Sequence, residues 1–62
     1  MITTKTYYIE NSEDLDVALE LMKGIIPCFI DREYIEMNYS EVEIIAKAEH
    51  REIIENILAP LM

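Results

Sequence analysis

Glycine is nearly missing from this chain: Gly24 is the sole example, and tryptophan is absent altogether. A single glycine cannot build a glycine-rich phosphate cradle, which excludes nucleotide sites of that type. Cysteine is equally scarce. Cys28 has no partner for an intrachain disulfide, so it reads as a small buried hydrophobe in a reducing setting rather than part of a stapled, secreted scaffold. Positive charge is short as well, with 5 Lys and Arg against 13 Asp and Glu and a net charge of -8. Nucleic acid phosphates and anionic lipid would repel such a chain, so neither direct nucleic acid binding nor membrane binding is expected. A basic protein surface would attract it. No stretch approaches the ~18 apolar residues of a membrane span. The start also lacks the basic flank and apolar core of a signal peptide, so a cytoplasmic location is expected.

What is present fits one small α+β domain over residues 1–62. A chain this short buries only about 60% of the surface it exposes when unfolded, so its stability is marginal and a partner chain would help it. Ser40-Glu41-Val42-Glu43-Ile44-Ile45-Ala46-Lys47-Ala48 carries the clearest strand signal. Val42, Ile44 and Ala46 share one side of the pleat, and Glu41, Glu43, Ile45 and Lys47 share the other. Ile45 is out of place on an otherwise charged face.

Met1 to Thr4 reads as a loosely held start, followed by a first strand at Lys5 to Glu10. Asn11 and Ser12 are N-cap candidates. Glu13, Asp14 and Asp16 suit the positive end of a helix, and their spacing matches no calcium loop. Leu15, Ala18, Leu19 and Met22 recur at helical spacing, widened by Val17 and Leu21, and Gly24 is predicted to close the helix in the left-handed conformation. Ile25 to Ile30 is an apolar run, read as an edge strand starting at Pro27. Asp31-Arg32-Glu33 interrupts it, and Ile35 and Met37 resume it as a bulged arm. Asn38 to Ser40 turn the chain into the 41–47 strand. A final helix from Glu49 places Ile53, Ile54, Ile57, Leu58 and Leu61 on its apolar face and His50, Arg51, Glu52, Glu55 and Asn56 on its polar one, and Pro60 ends it.

The order strand-helix-strand-strand-helix predicts a βαββα fold, a three-stranded sheet with residues 41–47 in the middle and both helices on one face. It is a truncated ferredoxin-like arrangement, which leaves the first strand as an unpaired edge at Lys5, Tyr7 and Tyr8. The run Leu19 to Ile30, followed by Val42-Glu43-Ile44-Ile45-Ala46 and an acidic closing helix, resembles small bacterial signal-transducing domains of unknown function. The resemblance implies the same fold and a regulatory or binding role. The chain departs from it in placing Ile25-Ile26 between Gly24 and Pro27, and in lacking a metal-binding tail.

Catalytic groups are few. His50 and Cys28 fall in different elements and would supply only two zinc ligands, so a non-enzymatic protein without cofactor or metal is expected. Glu33, Tyr34, Glu36, Tyr39, Glu41, Glu43 and Ile45 are the candidate partner-binding residues, combining charge with aromatic anchors. The expected role is an inhibitor or regulator that acts as a nucleic-acid mimic and occupies the basic surface of a larger protein. By analogy, the role expected is like that of the small acidic proteins of phages and mobile elements that often act against nucleic-acid-handling enzymes, counter-defence inhibitors of the anti-CRISPR type among them. The alternative is a homodimeric structural or signalling module joined through the first-strand edge and outer sheet face.

Overall fold

The computed structural model of the protein describes residues 1–36 and 39–62. The apolar position at Met37 and the turn expected at Asn38 lie outside the described residues, as does the Glu36 side chain. The chain runs β1 (Ile2–Ile9), α1 (Leu15–Ile25), β2 (Cys28–Glu36), β3 (Tyr39–Lys47) and α2 (Arg51–Leu58), with short 3-10 turns at Ala48–His50 and Ala59–Leu61. The strands lie in the order β1-β3-β2, with β3 antiparallel to both neighbours. This is the α+β βαββα fold expected from the element order.

Burial on β3 alternates strictly enough to determine which face the helices cover. Val42 and Ile44 are fully buried and Ala46 nearly so, and they meet Tyr7 and Ile9 of β1, Leu15, Leu19 and Met22 of α1, and Ile54 and Leu58 of α2. Fully burying one Leu or Ile contributes roughly 1.5–3 kcal/mol. A one-residue slip of β3 would instead push Glu41 and Glu43 under the helices, so the register is strongly specified.

Several local details depart from the sequence reading. The sheet captures the start of the chain: Thr3 and Thr4 pair with Ala46 and Ile45, and the Ala48 N–H donates to the Met1 carbonyl oxygen at 2.8 Å. Asn11 does serve the entry to α1, its Oδ1 accepting from the Asp14 N–H at 3.3 Å. Ser12 does not cap. Its hydroxyl lies 2.8 Å from that of Ser40, and both are buried, which fastens the entry of α1 to the start of β3.

Gly24 lies within α1 and has no positive φ. Buried Ile26 follows the helix in extended conformation and its N–H donates to the Met22 carbonyl oxygen, so the exit is closed without a left-handed residue. Val17 and Leu21 are exposed, and the buried stripe is the narrower Leu15, Leu19 and Met22. β2 continues through Asp31-Arg32-Glu33 because Arg32 reaches into the helix layer, to Asp16 and the Ser12 carbonyl oxygen. The expected irregularity is present as a shift of register between Tyr34 and Glu36.

Candidate functional site

The sheet face opposite the helices is built by strand register. Facing the same way are Ile2, Thr4, Thr6 and Tyr8 of β1, Tyr39, Glu41, Glu43, Ile45 and Lys47 of β3, and Phe29, Asp31 and Glu33 of β2. Neighbouring strands stand ~4.8 Å apart and successive same-face residues ~6.8 Å apart, so these side chains form rows across the sheet. One row joins Thr4, Ile45 and Phe29. The next joins Thr6, Glu43 and Asp31, and the one beyond joins Tyr8, Glu41 and Glu33.

The face therefore has an apolar end and an acidic end. Ile2 is 70% exposed and Phe29 77% exposed. With Pro27 and Ile45 they border an open groove of about 390 Å³. Asp31, Glu33, Glu41 and Glu43 line a neighbouring depression of about 190 Å³. Beyond them the rings of Tyr8 and Tyr39 stack at 6.3 Å between centroids.

None of the ion pairs among the described residues involves these four carboxylates. Three of the cations, Lys5, Arg32 and Arg51, are engaged on the helix side, whereas Lys47 lies at the apolar end of the open face. Lys5 pairs with Glu55 at 2.7 Å, and Arg32 pairs with Asp16. Arg51 donates to the Thr3 carbonyl oxygen at 2.9 Å, to Thr3 Oγ1 at 2.8 Å, to the Tyr7 hydroxyl at 3.2 Å and to the Ile44 carbonyl oxygen at 3.2 Å. Like charges directly opposite on a sheet are destabilising, and two such pairs, Asp31 with Glu43 and Glu33 with Glu41, stand side by side here.

The helix-side groups shift as their surroundings require. Hydrogen bonds from Lys5 and Tyr7 hold the Glu55 carboxyl below the usual carboxylate range. The hydrogen bond to Glu55 and the attraction of its charge raise the Lys5 ammonium. Burial raises the Tyr7 phenol, against the opposing hydrogen bond from Arg51. Burial likewise raises the Cys28 thiol, which leaves it a poorer nucleophile. Among the described residues no group of three or more His, Cys, Asp or Glu side chains is arranged to hold a metal ion.

Of the residues singled out from sequence, Glu33, Glu41, Glu43 and Ile45 come together on the open face, with Tyr39 on the same side. Tyr34 does not join them. It pairs with Ser40 and stacks under the Arg32 guanidinium at 4.4 Å, on the helix side. Glu36 pairs with Tyr39 at the far end. On β1, Tyr8 lies on the open face. Tyr7 is buried and Lys5 is engaged by Glu55, so what the edge offers there is backbone rather than free side chains. Asp31, Phe29 and Ile2 complete the face and were not singled out. The signal that could have found two of them is the β2–β3 pairing, which sets Phe29 opposite Ile45 and Asp31 opposite Glu43.

Fold and face together define the class of the protein as a small α+β domain with an open, acidic sheet face. No family model matches the chain, and no curated protein or solved structure matches it either. No helix among the described residues is long and apolar enough to cross a membrane.

Proposed function

We propose that the protein is a non-catalytic inhibitor or regulator that lays its open sheet face on a basic surface of a larger protein, one that otherwise holds nucleic acid. The observation that carries this reading is the set of four carboxylates, Asp31, Glu33, Glu41 and Glu43, fixed on paired strands without cationic partners among the described residues. Carboxylates held on rigid strands about 5–7 Å apart present a fixed array of negative charge to a surface that otherwise neutralises phosphates. The cost in cross-strand repulsion is recovered when a basic partner neutralises them.

Affinity capture from the native cell or its host, with the wild type and a Glu41→Lys/Glu43→Lys variant, tests this. The expected result is a basic, nucleic-acid-handling protein that the wild type retains at low salt and releases at high salt. The charge-reversed variant should fail to retain it, and nucleic acid should compete for it. Recovery of the chain alone, self-associated and indifferent to the charge reversal, overturns the reading.

One observation favours a second reading, a homodimer through β1. That edge strand pairs in unbroken register over Ile2–Ile9, whereas the other edge, β2, carries the register shift near its end. Regular edges of this kind are templates for pairing. Salt separates the two readings, since screening would promote association of two chains of charge -8 and weaken binding to a basic partner.

A further inference from the structure

Resting on the binding role proposed above, the geometry points to a specific kind of ligand: we propose that the open face receives a single α-helix of the partner, bearing one apolar side chain followed one and two turns later by arginine or lysine. Three features of the face select it.

The first is width. Three strands place the outer two about 10 Å apart, close to the 10–12 Å diameter of one helix with its side chains, so one helix covers the face and two do not fit. The second is the apolar groove beside Phe29. Its exposed ring, with Ile2 and Ile45, offers a seat for one apolar side chain, and Lys47, paired with Ile2 at that same end, repels a cation from it. The third is spacing. Measured along β3 from the Ile45 row, the carboxylate rows at Glu43 and Glu41 lie ~6.8 and ~13.6 Å away. Residues i, i+4 and i+8 of a helix share a face and are separated by ~6 and ~12 Å of rise, so an apolar anchor at i brings cations at i+4 and i+8 onto successive carboxylate pairs. Charge complementarity thus fixes the kind of occupant and which end of the sheet its apolar anchor takes. The anchor sits at the Lys47 end and the cations run toward the Tyr8–Tyr39 stack.

The test uses the full chain, labelled with 15N, and synthetic capped peptides of about 18 residues on an alanine-glutamine background, long enough to form a helix. The matched peptide carries Leu, Arg and Arg at i, i+4 and i+8, and its control replaces that Leu by Gln. The expected result is that the matched peptide gains helicity and shifts the amide signals of Phe29, Ile45, Glu43 and Glu41 together. It should bind about ten-fold more tightly than the control, the effect of burying one aliphatic side chain. Phe29→Ser, at an exposed position, should make the two peptides equal while leaving their salt dependence intact. Equal affinity of the two peptides for the wild type overturns the proposal and leaves the acidic-face reading standing. If no basic peptide perturbs the open face, both fail. Concentration-dependent shifts on the open face without peptide, with a doubled mass by light scattering, also overturn it, because the occupant is then a second copy.

Discussion

Asp31 and Glu43 face one another directly across the β2–β3 ladder, two like charges at opposed positions of the same sheet face. Such a pair costs roughly 0.2–1 kcal/mol relative to neutral residues, and Glu33 with Glu41 repeats it one row away. Neutralising one member of each pair, as Asp31→Asn with Glu41→Gln, should therefore stabilise the protein. In a domain this small the gain should be visible as a rise of a few degrees in melting temperature. Added salt should raise the wild-type transition more than that of the double variant, because screening relieves the same repulsion. Thermal melts at low and high salt check both effects. A double variant less stable than wild type would mean that these carboxylates are satisfied by contacts other than those described.

Gly24 yields a second expectation. It is exposed on the last turn of α1, its φ is not positive, and a Cβ built there meets nothing within 4 Å. Glycine in such a place loses backbone entropy on folding without any compensating need. Gly24→Ala should stabilise by about 0.5–1 kcal/mol, measured by urea denaturation with an unchanged m-value. A loss of stability would show that the position needs a conformation the helix does not reveal.

Arg51 is the largest departure from what the sequence displays. At helical spacing it shares a polar face with Glu52 and Glu55, yet its guanidinium lies across β1 to reach the Ile44 carbonyl oxygen of the central strand. The planar fork serves Thr3, Tyr7 and Ile44 together, which a lysine cannot do. Arg51→Ala should destabilise by roughly 2–3 kcal/mol, since it removes charge-assisted hydrogen bonds and strands partly buried acceptors. Arg51→Lys should recover less than half of that. Equilibrium unfolding of the pair of variants is the measurement, and equal stability of Arg51→Lys and wild type would reduce the contact to simple charge.

The legible parts of the chain are those where one period dominates. β3 alternates with Ile45 as its one exception, so its core face and its acidic face were both readable from Val42, Ile44 and Ala46 against Glu41 and Glu43. The element order then followed from two helical stripes and one edge-compatible proline. Ile25 to Ile30 was not readable in the same way. A continuous apolar run fits either face, and only pairing with β3 sends Ile30 toward the core opposite Ile44 and leaves Phe29 exposed opposite Ile45. Arg51 and Ser12 escaped for a related reason. Their partners are 7 to 48 residues away in the chain, and no local pattern records such a contact. The candidate site was thus half visible: its carboxylates on β3 lie in a strand whose charged face is legible, and its apolar end depends on a β2–β3 register that no local pattern records.

The Lys5–Glu55 pair sets the pH behaviour of the helix side. Glu55 accepts from both Lys5 Nζ at 2.7 Å and the Tyr7 hydroxyl at 3.0 Å, and its pKa in the folded protein is lowered from 4.5. A lowered carboxyl pKa means that the unfolded chain binds the proton more tightly, so the contribution is complete above the unfolded value and is lost as pH falls through the folded one. Lys5 has the opposite sign. Its pKa is raised from 10.5, so its contribution is complete below that value and is lost as pH rises through the raised one. Glu55→Gln should accordingly differ most from wild type between about pH 5 and 10, with the difference shrinking on both sides. Denaturant titrations of the two proteins at pH 3, 7 and 11 measure it. Since Lys5 and Glu55 are both substantially exposed, the difference at pH 7 should also fall with added salt. A gap between the two proteins that persists undiminished at pH 3 would show that Glu55 stabilises the fold through the packing of its stem rather than through its charge.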